Sequence, residues 1–336
     1  MKLPDSMHAM ILGEPKQMLT YQEIPMPAFA ANEMLVKVLA CGICRTDLHV
    51  IDGDLTHPKL PLILGHEIIG RVAAMGDEVK GFKAGDLVGI PWLGYTCGVC
   101  KFCKSGKENL CDHARFTGYT INGGFAEYTV AGSGFCFLLS PEFGNPSSAP
   151  LLCAGLIGFR SYRMIDPSAK NIGIYGFGAA AHILIQISRA QGKNIFAFTR
   201  EGDTKAQQFA KQMGAHWAGG SNEDIPEKLD AAIIFAAVGE LIPEALKAVD
   251  KGGQVICGGI HMSDLPSFSY DLLWEERSLK SVANMTRQDG LAFFEALKTI
   301  PVHTQIHLFK LHEANEAIQK LRNGEINGAA VLVMDQ

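Results

Sequence analysis

Asn171-Ile172-Gly173-Ile174-Tyr175-Gly176-Phe177-Gly178-Ala179-Ala180-Ala181 is the stretch that decides the fold. An apolar strand-like run, 171–177, feeds a glycine turn, and a helical stretch, 179–190, follows it. In this G-x-G-x-x-A pattern Gly176 permits the tight turn and Gly178 lets a pyrophosphate approach the backbone at a helix N-terminus. Ala181 stands where the stricter pattern has a third glycine. The pattern gains its weight from its surroundings. Further strand-like runs at 194–199, 230–237, 254–260 and 278–283 alternate with helical stretches at 203–213, 242–249 and 270–277. Near-continuous apolarity in the runs marks strands buried on both faces, so this part is predicted to be an α/β, doubly wound parallel sheet.

Upstream the texture differs. Short β-branched runs at 34–39, 68–73, 87–90 and 126–130 are bounded by turn signals at Gly53, Gly76-Asp77, Gly85-Asp86 and Asn122-Gly123-Gly124. They predict a partly open antiparallel β-barrel. Downstream, a helix at 288–297, a strand at 305–309, a helix at 314–322 and an apolar end at 329–334 are too many pieces to cap one sheet, and the tail is expected to return to the first domain.

A chain of 336 residues has a prior of two domains at roughly 150 residues each. Apolar residues at 47% against 19% charged exclude a disordered chain. The net charge of −5 offers no footprint for a phosphodiester backbone, so nucleic acid is not an expected partner. The longest nearly uncharged apolar stretch, 149–159, is well short of the roughly 18 residues of a membrane span. With Asp5 and Glu14 in an N-terminus that lacks an apolar h-region, the expected location is cytoplasmic.

Nine cysteines in such a chain point to metal or catalysis sooner than to disulfides. Cys97, Cys100, Cys103 and Cys111 follow C-x2-C-x2-C-x7-C, and four thiolates so close can close a tetrahedral shell around Zn²⁺ with no open position. Two disulfides, unrelated buried thiols and an iron–sulfur cluster are the other readings. Cys41, Cys44, His49 and His66 are separated by a loop, with Cys153 far downstream where the β-rich part gives way to the nucleotide fold. A Cys44/His66/Cys153 set would suit a catalytic zinc with three protein ligands. The bland alternative is a satisfied core histidine and a small buried thiol.

CGICRTDLHV at 41–50, LPLILGHEIIGRV at 60–72, the four-cysteine run, APLLCAG at 149–155 and YGFGAAAH at 175–182 resemble the zinc-containing medium-chain alcohol dehydrogenases over essentially the whole chain. The resemblance implies a GroES-like catalytic domain at 1–150 with a structural-zinc lobe at 94–112. It also implies a Rossmann coenzyme domain at 151–287 and a return to the catalytic domain at 288–336. Two zinc ions per chain follow, one catalytic on Cys44, His66 and Cys153 and one structural on Cys97, Cys100, Cys103 and Cys111. Asp47 would orient His66, and Glu67 would be a carboxylate able to approach the metal during ligand exchange. Thr46 and His49 match the family's proton-relay positions, while Trp92 and, more weakly, Tyr119 match the substrate pocket.

The expected substrates are small to medium primary alcohols, aliphatic or aromatic, and their aldehydes, and the expected assembly is a homotetramer or else a dimer, its sheets meeting around 260–270. Arg45 is carried over as a pyrophosphate contact, with Arg287 as a further candidate, and Val238 and Gly258 mark the nicotinamide end. An NAD-specific fold ends its second strand in an acid that takes the ribose hydroxyls; here the strand ends in Thr199-Arg200. Arg200 can bind a phosphate, so NADP(H) is favoured over NAD(H), unless Glu201 or Asp203 folds back into the missing acid's place. Two alternatives remain. One is a polyol or secondary-alcohol dehydrogenase of the same fold, which commonly has glutamate where Cys153 stands; the other is a relative that binds or regulates without catalysis.

Overall fold

The computed structural model describes residues 3–334. Two compact units emerge. One runs through Ala154 and takes in Asn284–Phe294 and the chain from His303 onward; the other comprises Gly155–Ala283 and Glu295–Val302.

The second unit is built on a six-stranded sheet in the order Trp217–Gly220, Asn194–Thr199, Asn171–Tyr175, Leu229–Ile234, Val249–Cys257, Ser278–Ser281. Every pairing in it is parallel. Successive residues serve opposite faces: Ala231 and Ile233 join Ile172, Ile174 and Leu184 in one core, whereas Ala232 and Ile234 join Phe196, Phe198 and Leu246 in the other. Two buried faces explain why these strands read as unbroken apolar runs. The strand order reverses at Asn171–Tyr175, whose carboxyl end feeds the glycine turn, and such a switch point is where doubly wound sheets bind ligands.

In the first unit the long strand Glu33–Ile43 is the hub. It pairs antiparallel with Glu67–Met75, Tyr128–Gly132 and the C-terminal strand Ala329–Val333. Leu87–Ile90, Phe137–Leu138 and Ile306–Lys310 extend this sheet, and Ser6–Leu12 with Thr20–Pro25 and Leu62–Ile63 forms a second. Met10, Leu12, Met34, Val36, Ile68 and Leu332 fill the space between.

The helix expected at 270–277 is a correction: only the 3-10 turn Tyr270–Leu272 forms. Glu275 and Glu276 both adopt left-handed conformations, at φ 66° and 63°, which no α-helix can contain. The strand expected at 254–260 starts earlier, at Val249, and stops at Cys257, because the amides of Gly258 and Gly259 both turn to the carbonyl of Ile234. No helix among the described residues is long and apolar enough to cross a membrane.

Candidate metal and coenzyme sites

The four-cysteine loop folds on itself so that the sulfurs of Cys97, Cys100, Cys103 and Cys111 all lie within 4.8 Å of one another. Cys97 and Cys111 are 3.5 Å apart, Cys100 and Cys103 3.5 Å, and Cys97 and Cys103 3.9 Å. Zinc–sulfur bonds of about 2.3 Å in a tetrahedron require sulfur–sulfur edges of about 3.8 Å, so the donor set fits a closed site. None of the cysteines is in a disulfide. Backbone amides of Val99 and Cys100 pull the Cys97 thiol down to about 6, a state ready to bind metal.

The second cluster is assembled from three places. Cys44 is the N-cap of the helix Arg45–Asp52, directly after the hub strand. His66 and Glu67 stand at the start of Glu67–Met75, and Cys153 ends the 3-10 segment Pro146–Leu152. Ligand atoms of Cys44, His66, Glu67 and Cys153 lie within 4.8 Å of one another. Cys41 is excluded: its sulfur packs beneath Gly65 and Gly124 in the interior, and burial pushes its thiol well up. The Cys44 and Cys153 sulfurs are 3.8 Å apart. Their hydrogen bond lowers Cys44 well below and raises Cys153 well above the usual thiol range.

His66 is wholly buried, yet neither ring nitrogen makes a hydrogen bond within the described chain. Its Nδ1 faces Asp47 Oδ1 at 3.4 Å. Asp47, equally buried, accepts the amides of Cys44 at 2.8 Å and Gly65 at 3.2 Å, so it ties both ligand-bearing segments together. An imidazole buried with an orphaned nitrogen, beside a thiolate and a second sulfur, is what a three-ligand zinc site requires. Glu67 owes its place to Gly42 on the neighbouring strand, where any Cβ would lie 1.9 Å from the carboxylate oxygen. Burial holds its carboxyl well above the usual range.

Thr46 is buried, with Oγ1 3.7 Å from the Cys44 sulfur. One turn later His49 is partly exposed and its Nδ1 meets Asp54 at 2.8 Å. Trp92 stands edge-on to His66 and near-parallel to Phe116 and Tyr119, at 5.3 and 5.7 Å. Those two rings are 6.4 Å from each other and inclined at 28°, so Trp92, Phe116 and Tyr119 form one aromatic cluster. The Tyr119 hydroxyl donates to the carbonyl of Thr56, and the Lys59 amide donates to the Tyr119 carbonyl at 2.9 Å. Asp54 and Phe116 escaped sequence reasoning. The only available signal was their placement, one after a helix-ending glycine and the other three residues before Tyr119 in a glycine turn.

In the other unit Gly176 has φ +90° and leaves no room for a side chain against Ala236. Gly178 caps the helix Ala179–Ala190 with open space around it, and Phe177 packs edge-on to Phe209. Val238 is 42% exposed, and Gly258 is pressed against Ser161 and Phe235. The Thr199 hydroxyl is buried among the carbonyls of Arg200 and Gly219 and the amide of Gln207. Arg200 is exposed. Asp203 is committed as the cap of Thr204–Gln212, accepting Ala206 N at 3.0 Å, and Glu201 accepts from Asn222. Of the remaining arginines, Arg45 is exposed on the first turn of its helix, whereas Arg287 is bound to Glu108 at 3.1 Å.

Residues 30–141 match the alcohol dehydrogenase GroES-like domain family, and residues 171–256 match the family described as NADP oxidoreductase coenzyme F420-dependent. The chain is 43% identical over 318 residues to a probable alcohol dehydrogenase of Mycobacterium tuberculosis, covering 93% of this chain and 91% of the relative. It is 34% identical over 343 residues to an alcohol dehydrogenase of Geobacillus stearothermophilus, covering 98% and 100%. Among solved structures, a cinnamyl alcohol dehydrogenase of Sorghum bicolor superposes with a TM-score of 0.89 at 25% identity, over 98% of this chain and 97% of that one. With full-length relatives of this identity and two zinc-type donor clusters, the chain belongs to the medium-chain zinc alcohol dehydrogenase family and is an NAD(P)-dependent alcohol dehydrogenase.

Proposed function

We propose that this enzyme interconverts small to medium primary alcohols, aliphatic or aromatic, with their aldehydes, and that it prefers NADP(H). The observation that carries the reading is the convergence of Cys44, His66 and Cys153 beside the indole of Trp92. Cys44, His66 and Cys153 would hold the catalytic zinc and Cys97, Cys100, Cys103 and Cys111 the structural one. When bound, the catalytic zinc supplies a Lewis acid for the substrate oxygen and the coenzyme a hydride acceptor or donor.

The chain's own residues do the rest. Asp47 fixes the His66 ring and the Cys44 amide in one orientation. Thr46, buried near Cys44, accepts a hydrogen bond from the substrate hydroxyl and gives up its own proton as it takes the substrate's, and His49 at the edge of the same helix exchanges a proton with solvent. Trp92, stiffened by Phe116 and Tyr119, narrows the space beside His66 and supports planar substituents. Glu67 offers a fourth donor to the same cluster. Arg45, with the Gly176–Ala180 turn, serves the pyrophosphate, and Val238 and Gly258 serve the nicotinamide end. With Asp203 and Glu201 engaged elsewhere, Arg200 is left to meet a 2′-phosphate. We further propose a homo-oligomer, a tetramer before a dimer, joined around the exposed Ile260, Leu265 and Tyr270.

The test is the purified holoenzyme assayed for zinc content and for kcat/KM on primary alcohols, secondary alcohols and polyols with both coenzymes. Two zinc per chain and a preference for primary alcohols support the reading. Higher efficiency on polyols, or full activity after removal of all zinc, would sink it. Sedimentation of a monomer at micromolar concentration would dispose of the assembly.

A further inference from the structure

We infer that the four-cysteine lobe is a clasp on the helix Arg287–Leu297, closed by Glu108 and Arg287, so that metal occupancy of the lobe and order in the first turn of that helix are coupled. The inference rests on the structural-zinc reading above. Glu108 opens the 3-10 turn Glu108–Leu110 between the third and fourth cysteines, and its carbonyl accepts the amide of Cys111 at 3.0 Å. Its side chain is 8% exposed, and one carboxylate oxygen accepts both the backbone amide of Arg287 at 3.0 Å and its Nε at 3.1 Å. Arg287 is the first residue of its helix, so an N–H group that no intrahelical carbonyl can reach is satisfied by a carboxylate 179 positions upstream.

The rest of the helix start is equally fixed. Thr286 and Asp289 exchange hydrogen bonds across the first turn, with Thr286 N to Asp289 at 2.9 Å and Asp289 N to Thr286 Oγ1 at 3.2 Å. The Arg287 guanidinium lies over the Phe135 ring at 4.9 Å, and its Nη1 reaches the carbonyl of Gly134 at 3.5 Å. In the lobe the helix Lys101–Lys104 buries no residue; the buried part is the turn itself, Glu108 and Asn109, with Cys111 directly after it, so closing the thiolates on their metal fixes where that turn starts and ends. What the metal does for the clasp, the clasp must return to the metal by the same factor.

The experiment follows zinc release from the holoenzyme with a chromogenic chelator, the lobe's phase being assigned with the Cys44→Ala variant, in which the other cluster is broken. Glu108→Gln and Arg287→Ala are each expected to speed release of the lobe zinc by about tenfold, as loss of a charge-assisted hydrogen bond implies, with the double variant no faster than either. In the wild-type chain, stripping the lobe zinc should raise hydrogen exchange at 287–290 at least tenfold while Ala314–Arg322 stays protected. Unchanged release in both single variants, or single effects that multiply in the double, would overturn the clasp. If the variants do not fold, unaltered exchange at 287–290 after stripping overturns it by itself. Zinc that never exceeds one per chain would overturn the structural-zinc reading together with it.

Discussion

The imidazole of His66 stands edge-on to the indole of Trp92, with ring centroids 4.8 Å apart and planes at 78°. The indole therefore lies directly against the imidazole of the donor cluster. Trp92→Ala should lower kcat/KM for benzylic and other planar aldehydes by about tenfold, the value of one stacked ring, while short aliphatic aldehydes lose less. Steady-state kinetics on a matched pair of aryl and alkyl aldehydes will show whether the two classes separate.

The two cysteine clusters should fail in different ways. Cys97→Ala opens a closed site whose binding energy is folding energy, so thermal stability and assembly should fall first. Cys44→Ala should leave the melting curve near that of the parent and abolish turnover. Calorimetry and assay of both variants decide this, and near-normal turnover in Cys44→Ala alongside loss in Cys41→Ala would reverse the assignment.

At the end of the strand Asn194–Thr199, Arg200→Ala should raise KM for NADPH by about 10- to 100-fold, as loss of charge-assisted hydrogen bonds implies, and leave KM for NADH nearly unchanged. Equal catalytic efficiency with both coenzymes, untouched by the substitution, would mean that the guanidinium never meets a phosphate.

His182 is 1% exposed, packs on Phe209 and is held below the usual imidazole range by burial. Because the folded chain resists protonating it, stability is undiminished above the unfolded value near 6.5 and is lost as pH falls through the depressed folded value. The slope from this group is at most about 1.4 kcal/mol per pH unit. In denaturant titrations between pH 7 and 5, His182→Gln should flatten that part of the curve; an identical slope would assign the acid sensitivity to other groups.

Regular elements with one dominant period are legible in the sequence. Leu87–Ile90, Asn194–Thr199, Ala179–Ala190 and Ala314–Arg322 occupy the positions that periodicity assigned them. Trp217–Gly220 was hidden because two of its four residues are glycine, and only pairing with Asn194–Thr199 makes it a strand. The helix Arg45–Asp52 was masked by residues that read as chemistry. The four-cysteine cluster was visible because its donors are close in sequence. The Cys44 cluster needed the family resemblance, since spacing alone left a core histidine as an equal reading. Gly42 could not be identified at all: its necessity comes from a carboxylate on the neighbouring strand.

The two clusters also differ in how much chain must exist before either can close. Cys97 and Cys111 are 14 positions apart, whereas Cys44 and Cys153 are separated by 109. By loop-closure entropy alone the wider span costs about 2 kcal/mol more. The strand that leads into Cys44 has a further requirement, because its last residues, from Ala40 to Ile43, pair with Ala330–Val333. On the ribosome the lobe can therefore capture its ion as soon as residue 111 has emerged. The catalytic cluster has to wait at least for Cys153, and the strand that leads into Cys44 gains its partner only with Ala330–Val333, so a nascent protein passes through an interval with one donor set complete and the other still open.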